Sequence, residues 1–367
     1  MTIDWLALSD FRNYRELKVS FAPGINVIYG ENAQGKTNML EAMFYLSSAK
    51  SHRARYDRDM VAFQSELAQV EGLIHTRERE YRINARLPRC GRRQLTINGV
   101  RLKTAAELSD VLHTVLFCPE DLNLVRDGAA ARRRFMDGSI CQMRPKYAAA
   151  LAEYQRLYEH KTRILRDWPE KPSLLETLDD FNDRMAKNGA LMVHYRAYFI
   201  QKLSHFAAAV HRDCSGGREE LTLDYRTVKT VTDPLEPLPV LYRKLLEHQQ
   251  SHRTAELEAR SCLSGPHKDD VEIMINGLSA RQYASQGQTR TAALSLKLAD
   301  REMHYESIGE YPVLLLDDVL SELDARRQEF ILNRITSGQV FITCCEDERL
   351  SGLHEGRALQ IHGGRVI

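Results

Sequence analysis

Two short motifs that must lie close together in the folded protein are separated by about 280 residues of sequence. Residues 30–37 read Gly-Glu-Asn-Ala-Gln-Gly-Lys-Thr and follow an apolar segment, and residues 313–318 read Val-Leu-Leu-Leu-Asp-Asp. The first fits G-x-x-x-x-G-K-[ST] between a strand and a helix, and the second is a buried strand that ends in an acid. A loop and an acid of these kinds belong to neighbouring strands of one sheet. The middle of the chain is therefore predicted to be an insertion into a single domain.

The loop at 30–37 has the composition of a phosphate cradle. Gly30 and Gly35 let the backbone turn so that successive N–H groups point at a β-phosphate, and the helix that follows adds its positive dipole end. Lys36 would neutralise β- and γ-phosphate oxygens, and Thr37 would place its hydroxyl on Mg²⁺. No Asn-Lys-x-Asp guanine motif occurs, so adenine is the better prediction for the base. The predicted cofactor-binding residues are Gly30, Glu31, Asn32, Ala33, Gln34, Gly35, Lys36, Thr37 and, from the motif described below, Gly287.

The two acids that end the second motif receive different roles. Asp317 is the predicted metal-side carboxylate, and Thr37 and Asp317 together form the predicted metal site. Asp318, one residue on, would point elsewhere and could orient or deprotonate the attacking water.

A third motif, Tyr283-Ala-Ser-Gln-Gly-Gln288, comes directly before a helical pattern. A Ser-x-Gly-Gln turn that opens a helix offers a hydroxyl, backbone N–H groups and a dipole to an anion. It cannot serve a nucleotide already held by 30–37 from the same side. In ABC-type ATPases such a signature caps the γ-phosphate bound by a second subunit, and the loop after the acid strand, here Ser321-Glu-Leu-Asp324, crosses the same interface. Ser285 and Gln288 are therefore predicted to act in catalysis with Lys36 and Asp318.

Strand patterns occupy both ends of the chain. From residue 1 to about 118 short apolar runs alternate with turn signals, among them Asn98-Gly99, and one helix begins at Lys36. From about 262 onward the pattern recurs, with Asn276-Gly277, a helix over about 288–303, and the buried runs at 313–318 and 339–345.

Between the ends, apolar residues recur with alternating spacings of four and three, which indicates helices that pack on each other. Residues 145–212 are predicted to form two antiparallel helices, an arm about 35 Å long from roughly 23 residues in the first helix. Trp168-Pro-Glu-Lys-Pro172 separates them, and Ser173-Leu-Leu-Glu176 has the form of a capping box. The alternative is two helices lying on an ordinary globular core, because the same spacing describes any amphipathic helix.

Composition limits the class of protein. Fifty-one Lys and Arg against fifty Asp and Glu give a formal net charge of +1, which excludes a globally basic nucleic-acid coat protein and makes any polyanion site local. No apolar run approaches the roughly 20 residues that cross a bilayer, so a cytoplasmic location and no membrane partner are expected. The seven cysteines include no C-x-x-C, and we expect them to be reduced and mostly buried.

Three arginine clusters are candidates for contacts with DNA phosphates. One is Arg53, Arg55 and Arg58, a second is Arg89, Arg92 and Arg93, and a third begins at Arg132. Binding that depends on them should weaken with salt and be independent of sequence, because no base-reading motif is present. Solvated surface charge or internal salt bridges remain the alternative for each cluster.

Taken together, the motifs resemble the RecF family, ABC-type ATPases related to the heads of Rad50 and SMC proteins. The resemblance covers nearly the whole chain and is carried by segments at 10–14, 30–42, 51–53, 117–137, 264–270, 283–300 and 314–324. It implies an α/β fold: an ABC-type P-loop ATPase head assembled from both chain ends, with an inserted, mainly helical arm. The expected boundaries are 1–120 and 261–367 for the head and 121–260 for the arm.

The resemblance also implies a function. It implies ATP and Mg²⁺ as cofactors, an ATP-dependent homodimer on DNA, a preference for junctions of single-stranded gaps with duplex, and help in loading RecA together with RecO and RecR in repair and replication restart. By position, Asn32 to Thr37 would bind nucleotide, and Ser285, Gly287 and Gln288 would act in trans.

Three features depart from the ABC pattern. Position 286 is Gln where Gly is usual, and Asp318 replaces the usual Glu, which fits slow hydrolysis. The segment 341–347 has no switch histidine, and the only candidate for the Q-loop is the region around Pro119-Glu120. Within SGPHKDD at 264–270, His267 and Asp270 could serve an interface or only the structure.

Two other classes of function stay open at this point. One is the energy subunit of a membrane transporter, which is disfavoured because transporter heads lack such a helical hairpin between loop and signature. The other is a non-catalytic scaffold that binds ATP without hydrolysing it.

Overall fold

The computed structural model describes residues 1–345 and 356–367. Two compact units are present: residues 1–122 with 293–367 form the first, and residues 123–292 form the second. The strands are β1 Thr2–Phe11, β2 Tyr14–Ser20, β3 Ile25–Tyr29, β4 Leu67–His75, β5 Glu80–Pro88, β6 Gln94–Ile97, β7 Val100–Arg101, β8 Thr114–Phe117, β9 Leu221–Arg226, β10 Asp270–Ile275, β11 Leu278–Ser279, β12 Val313–Leu316, β13 Val340–Cys344, β14 Gly356–His362 and β15 Arg365–Val366.

The α-helices are α1 Lys36–Ser48, α2 Asn123–Arg126, α3 Ala129–Met143, α4 Pro145–Asp167, α5 Leu178–Ser215, α6 Leu238–Ser251, α7 Arg253–Ala259, α8 Ala280–Tyr283, α9 Gln286–Ile308 and α10 Ala325–Arg334. Short 3₁₀ turns include Asp57–Met60, Pro119–Leu122, Pro172–Thr177 and Leu320–Glu322.

A largely parallel sheet forms the centre of the first unit, in the order β15-β14-β3-β13-β12-β8. Strands β14, β3, β13, β12 and β8 run parallel, and both chain ends contribute to them, as predicted. One expectation was wrong: β3 and β12 are not neighbours, because β13 pairs with both of them. The carboxyl ends of parallel strands still meet at one edge, so the loop after β3 and the acids after β12 remain close.

An antiparallel sheet in the order β2-β1-β4-β5-β6-β7 completes this unit. Its last hairpin turns at Asn98 and Gly99, whose φ angles of 51° and 79° are those of the tight turn that the sequence predicted. Helix α1 buries Met39, Leu40 and Met43 in the core that the two sheets share. The buried Gln339 side chain pairs with both backbone groups of Ile3, so β1 is tied to the start of β13.

The second unit contains the predicted antiparallel helix pair, α4 and α5. Tyr147 near the start of α4 lies beside Arg196, and Leu165 near its end packs with Leu178 at the start of α5. The pair does not form an arm by itself, however. Helix α5, 38 residues long, also packs through Ala190 on α6, and β9 follows it into a sheet of order β11-β10-β9. The alternative of two helices on a globular core describes this unit better.

Two boundaries differ from the expected ones. The 3₁₀ turn at Pro172–Thr177 begins after Lys171 and α5 begins only at Leu178, so Ser173 does not cap a helix. Residues 261–292, expected in the head, belong to the second unit because β10 pairs with β9 along its whole length. The division between the units falls inside α9.

All seven cysteines lie among the described residues, and none of them forms a disulfide there. Cys118, Cys214, Cys262 and Cys344 are buried, so most are buried as expected, whereas Cys90 and Cys345 are exposed. Within the described ranges, no helix is long and apolar enough to cross a membrane.

Candidate functional site

The loop at 30–37 joins the carboxyl end of β3 to α1. Lys36 is the first residue of α1, and its ammonium group donates to the carbonyl oxygens of Gly30 and Glu31 at 2.6 and 2.7 Å, so the positive charge lies inside the loop. Gly30 and Gly35 have φ angles of 146° and 121°, where L-residues are strained. A Cβ atom at Gly30 would lie 2.3 Å from the carbonyl oxygen of Ile361. The structure therefore requires glycine at these two positions for the loop to keep its shape.

The turn between β1 and β2 supports this loop from outside. Asn13 donates to the carbonyl oxygen of Gln34 at 2.8 Å and accepts from Asn38 on α1, while the Tyr14 hydroxyl donates to the carbonyl oxygen of Gly35 at 3.0 Å. Sequence reasoning gave Asn13 and Tyr14 no individual role. The signals available were the family resemblance of segment 10–14 and a pair of polar side chains at a turn beside a buried strand.

The turn between β14 and β15 adds a second support. The backbone N–H of Gly363 donates to the side chain of Gln34 at 2.6 Å, and that of Gly364 donates to the carbonyl oxygen of Gln34 at 3.1 Å. Gln34 is thus held by three hydrogen bonds from two turns of the first unit, which orients the loop before Lys36.

Asp317, at the end of β12, lies next to the first turn of α1. Its Oδ1 atom accepts from the hydroxyl of Thr37 at 2.9 Å and from that of Thr343 at 2.9 Å. Thr343 lies in β13, the strand between the two motifs, and sequence reasoning missed it. Carboxylate and hydroxyl oxygens are the hard ligands that Mg²⁺ prefers, so the side chains of Asp317 and Thr37 fit a magnesium site.

Asp318 follows Asp317 directly after the end of β12. It has a φ of 52°, a conformation that costs free energy for any residue with a Cβ. Its backbone N–H donates to the Thr343 hydroxyl at 2.8 Å, and its carbonyl oxygen accepts from Ser321 at 2.7 Å. These two hydrogen bonds hold the backbone in its positive-φ conformation. Neither of them uses the carboxylate, which is half-buried.

Helix α1 carries a buried acid near its first turn. Glu41 has no exposed surface, and its carboxylate accepts from Arg12 at 2.8 and 2.7 Å and from the hydroxyl of Ser51. Burial alone would raise the pKa of Glu41, but the hydrogen bonds from Arg12 and Ser51 outweigh it and keep the pKa below its usual value. The carboxylate is therefore ionised at neutral pH.

The signature turn precedes α9 in the second unit, and Ser285 and Gln288 bond reciprocally there. The Gln288 backbone N–H donates to the Ser285 hydroxyl at 3.2 Å, and the Ser285 backbone N–H donates to the Gln288 side chain at 2.9 Å. This is a capping box, which sequence reasoning did not recognise although Ser-x-x-Gln is its signature. Glu219 accepts from the Gln288 amide at 3.1 Å, and His211 lies 3.1 Å from the other Glu219 oxygen. Ser285 and Gln286 are exposed.

The candidate Q-loop region follows β8 as a 3₁₀ turn, Pro119–Leu122. Its Asp121 accepts from the backbone of Cys118 at 2.9 Å and pairs with Lys297 at 2.8 Å. Burial lowers the pKa of Lys297, but Asp121 and its neighbours outweigh that effect and raise it. Glu120 is exposed. Of the segment 341–347, which has no switch histidine, residues 346–347 lie outside the described residues.

The arginine clusters separate into exposed and internal ones. Arg53, Arg55 and Arg58 are exposed, and Arg58 stacks on Tyr56 at 4.8 Å from the ring centroid. Arg132 corrects a prediction: it is 5% exposed, and its guanidinium donates to both carboxylate oxygens of Asp270 and to two backbone carbonyls. Its guanidinium is committed to these internal partners and is not available to a DNA phosphate.

Most of the second cluster and the SGPHKDD motif are also internal. Arg89 donates to backbone carbonyls, and Arg93 pairs with Asp57 at 3.1 Å. His267 bonds to the hydroxyl of Tyr154 at 2.8 Å, and burial lowers its pKa to about 4. Both observations favour the structural alternative for these residues.

Comparison with known proteins gives three matches that agree. A family model described as the RecF/RecN/SMC N-terminal domain matches residues 2–362. The chain is 38% identical to the DNA replication and repair protein RecF of Agathobacter rectalis, over 94% of this chain and 92% of that protein. It is 36% identical to RecF of Bacillus cereus, over 100% of this chain and 98% of that protein.

Solved structures agree with the sequence matches. The recombination mediator protein RecF-ATP of the RecFOR pathway superimposes with a TM-score of 0.92 at 33% identity, covering 100% of this chain and 96% of that one. The SMC head of Pyrococcus furiosus, at 16% identity, covers 100% of this chain and 95% of that one with a TM-score of 0.57, which shows the shared fold alone. The ABC-type ATPase fold is thereby confirmed, and the chain belongs to the RecF family.

Proposed function

We propose that the protein is an ATP-dependent, DNA-binding recombination mediator that acts in DNA repair and replication restart. The observation that carries this proposal is the 2.9 Å hydrogen bond from the Thr37 hydroxyl to Asp317, which joins two motifs 280 positions apart. Both oxygens suit Mg²⁺, and the loop beside them suits phosphates. RecF relatives at 36–38% identity and the RecF-ATP structure support the assignment.

Each residue of the loop then has a role in binding ATP. The backbone N–H groups of 30–37 and the start of α1 would surround the β-phosphate, and Lys36 would replace its carbonyl contacts with β- and γ-phosphate oxygens. Thr37 and Asp317 would hold Mg²⁺, which supplies neutralisation of the phosphate charge. Asn32 to Thr37 are the residues that the family resemblance assigns to the nucleotide.

Asp318 is the proposed water-orienting residue. Its carboxylate is half-buried beside the metal-side acid, and its backbone is locked by Thr343 and Ser321. A shorter side chain than the usual Glu reaches less far toward the attacking water, which fits a slow ATPase.

The signature turn would act on a nucleotide bound by a second copy of the chain. Ser285 is exposed and precedes a helix of 23 residues, so its hydroxyl and the positive end of the helix dipole are available to a γ-phosphate. The capping box and Glu219 orient Gln288 for that contact. Dimerisation would then depend on ATP, and hydrolysis would release the dimer.

We base the proposed DNA and protein partners of this chain on its membership of the RecF family. We propose sequence-independent binding at junctions of single-stranded gaps with duplex, with RecR and RecO as partners and RecA loading as the outcome. Arg53, Arg55 and Arg58 are the proposed phosphate contacts because they are the exposed cluster.

The test is DNA binding by the full chain with and without Mg-ATP, on gapped and fully duplex DNA, over a salt series. We expect tighter binding to gapped DNA with ATP and a steep decrease with salt. Lys36→Arg should fold normally but lose ATP-dependent dimerisation in sedimentation and the ATP effect on DNA. A monomer–dimer equilibrium that does not respond to ATP in the unsubstituted protein would refute the proposal.

A further inference from the structure

His52 lies in the first unit, and the function proposed so far gives it no task. Both of its ring nitrogens are buried, and neither has a hydrogen-bond partner among residues 1–345 and 356–367. A buried imidazole without partners is costly, since each nitrogen loses its bond to water on folding. Such a group indicates a position whose partner is a ligand.

Two contacts with α1 determine where His52 lies. The Ser51 hydroxyl accepts from the backbone N–H groups of Arg53 and Ala54 at 2.9 and 2.7 Å and itself donates to Glu41. The Arg53 guanidinium donates to the side chain of Asn38 at 3.2 Å. The turn 51–54 is therefore attached to the helix within five residues of Lys36 and Thr37.

The ring itself has a defined orientation. It packs edge-on against Phe44 of α1, with 5.8 Å between centroids and 90° between planes. Packing on Phe44 accounts for the apolar part of the ring. It gives no reason for two buried polar nitrogens at this position. A residue needed only to cover Phe44 would be aliphatic or aromatic.

The charged groups that act on His52 include Asp317 of the predicted magnesium site. Burial lowers the pKa of His52, and the carboxylates of Glu41, Asp317 and Glu120 oppose that effect without overcoming it. The ring is therefore neutral at pH 7, with one N–H donor and one acceptor nitrogen. A neutral donor can approach a phosphate oxygen close to these acids without forming an ion pair with them.

We propose that His52 binds the γ-phosphate of the nucleotide held by its own subunit, by donating a ring N–H to a terminal phosphate oxygen. The inference rests on the proposed ATP site, since Thr37 and Asp317 are the residues that would hold Mg²⁺ and so neutralise the terminal phosphates. It also supplies a γ-phosphate contact in a chain whose segment 341–345 contains no histidine. His52 would thus distinguish ATP from ADP.

The test compares ADP with the slowly hydrolysed analogue ATPγS by titration calorimetry of the full chain with Mg²⁺. His52→Leu should weaken ATPγS binding about tenfold, the loss of one hydrogen bond to a charged group, and change ADP binding less than about twofold. His52→Gln keeps an N–H donor and should recover part of the difference. His75→Gln is the matched control, because His75 is exposed on β4, and it should change neither affinity.

His52→Phe is the control for loss of packing, because it keeps an aromatic ring against Phe44 and removes both nitrogens. It should show the same selective loss of ATPγS binding, with an unchanged thermal unfolding temperature. Unchanged ATPγS affinity in both the Leu and Phe variants, or an equal loss for ADP and ATPγS, would overturn the role of His52. An unsubstituted protein that binds neither nucleotide would instead refute the proposed function.

Discussion

Arg12 forms a two-point ion pair with Glu41, in which its Nε and Nη2 atoms donate to the two carboxylate oxygens at 2.8 and 2.7 Å. Arg12 comes from the β1–β2 turn and has a φ of 54°, and Glu41 lies on α1 with no exposed surface. Asn13, the next residue, supports the phosphate loop. The pair thus fixes the supporting turn against the helix that carries Lys36 and Thr37.

Replacing Arg12 by Ala should destabilise the first unit, because Glu41 would stay buried with Ser51 as its remaining side-chain partner. Removal of one member of a buried ion pair costs about 3 kcal/mol. Urea unfolding followed by circular dichroism measures the loss. Arg15→Ala is the control: Arg15 pairs with Asp10 but is 66% exposed, and we expect almost no change. Equal effects of the two substitutions would contradict the prediction.

Acid should destabilise the protein through two facing histidines, His113 and His304. Their Nδ1 atoms lie 2.8 Å apart, and the other His113 nitrogen lies 2.7 Å from the carbonyl oxygen of Ser109. Burial lowers the pKa of both rings, and for His113 the neighbouring His304 lowers it further, so both are neutral in the folded state.

The unfolded chain takes up these two protons near pH 6.5, whereas the folded protein does so only at much lower pH. The two neutral histidines therefore cost the folded protein no stability above pH 6.5. As the pH falls below 6.5, the free energy of unfolding decreases by up to about 2.7 kcal/mol per pH unit for two protons. Free energies of unfolding measured between pH 7 and 5 test this. The double variant His113→Phe, His304→Leu should show a flatter profile over that interval; a profile as steep as that of the unsubstituted protein would exclude these histidines as its source.

Asp318→Asn should keep ATP binding and lose hydrolysis. The amide preserves the volume and the backbone bonds at this position but cannot accept a proton from water or orient it equally well. We expect a single-turnover rate lower by about 10²-fold, with ATP affinity within a few-fold of the original. Measurable hydrolysis in the unsubstituted protein would also exclude the hypothesis of a non-catalytic scaffold. An unchanged hydrolysis rate in Asp318→Asn would mean that another residue orients the attacking water.

Arg55→Ala with Arg58→Ala should reduce the salt dependence of DNA binding. Two lost phosphate contacts lower the slope of log K against log salt by about 1.8 on duplex DNA. Arg132→Ala is the contrasting variant: it should leave the slope unchanged and destabilise the second unit instead, because its ion pair with Asp270 is internal. An unaltered slope in the double variant would show that DNA phosphates do not contact Arg55 and Arg58.

The sequence was sufficient to predict the elements that local chemistry determines. Helix α1 begins at Lys36 as the motif indicates, and both Asn-Gly turns have the positive φ angles that their residues favour. The closeness of Thr37 and Asp317 also followed from the sequence, since two matched motifs have to meet in one sheet.

The order of strands and the boundaries of units could not be predicted in the same way. The insertion of β13 between β3 and β12 depends on which apolar runs pair, and all of these runs look alike in sequence. Thr343 was missed for this reason, because its importance comes from its strand position alone. Spacing of four and three likewise does not tell whether α5 is covered by one helix or by several elements.

The position of β3 in the sheet has a consequence for how the protein is made. Both neighbours of β3, the strands β13 and β14, are translated about 310 residues later, which takes roughly 15 to 60 s at 5 to 20 residues per second. During that time the apolar strand before the phosphate loop has both edges unpaired. The nascent chain is therefore most vulnerable to aggregation before residue 340 emerges, and its chaperone requirement should be concentrated in that interval.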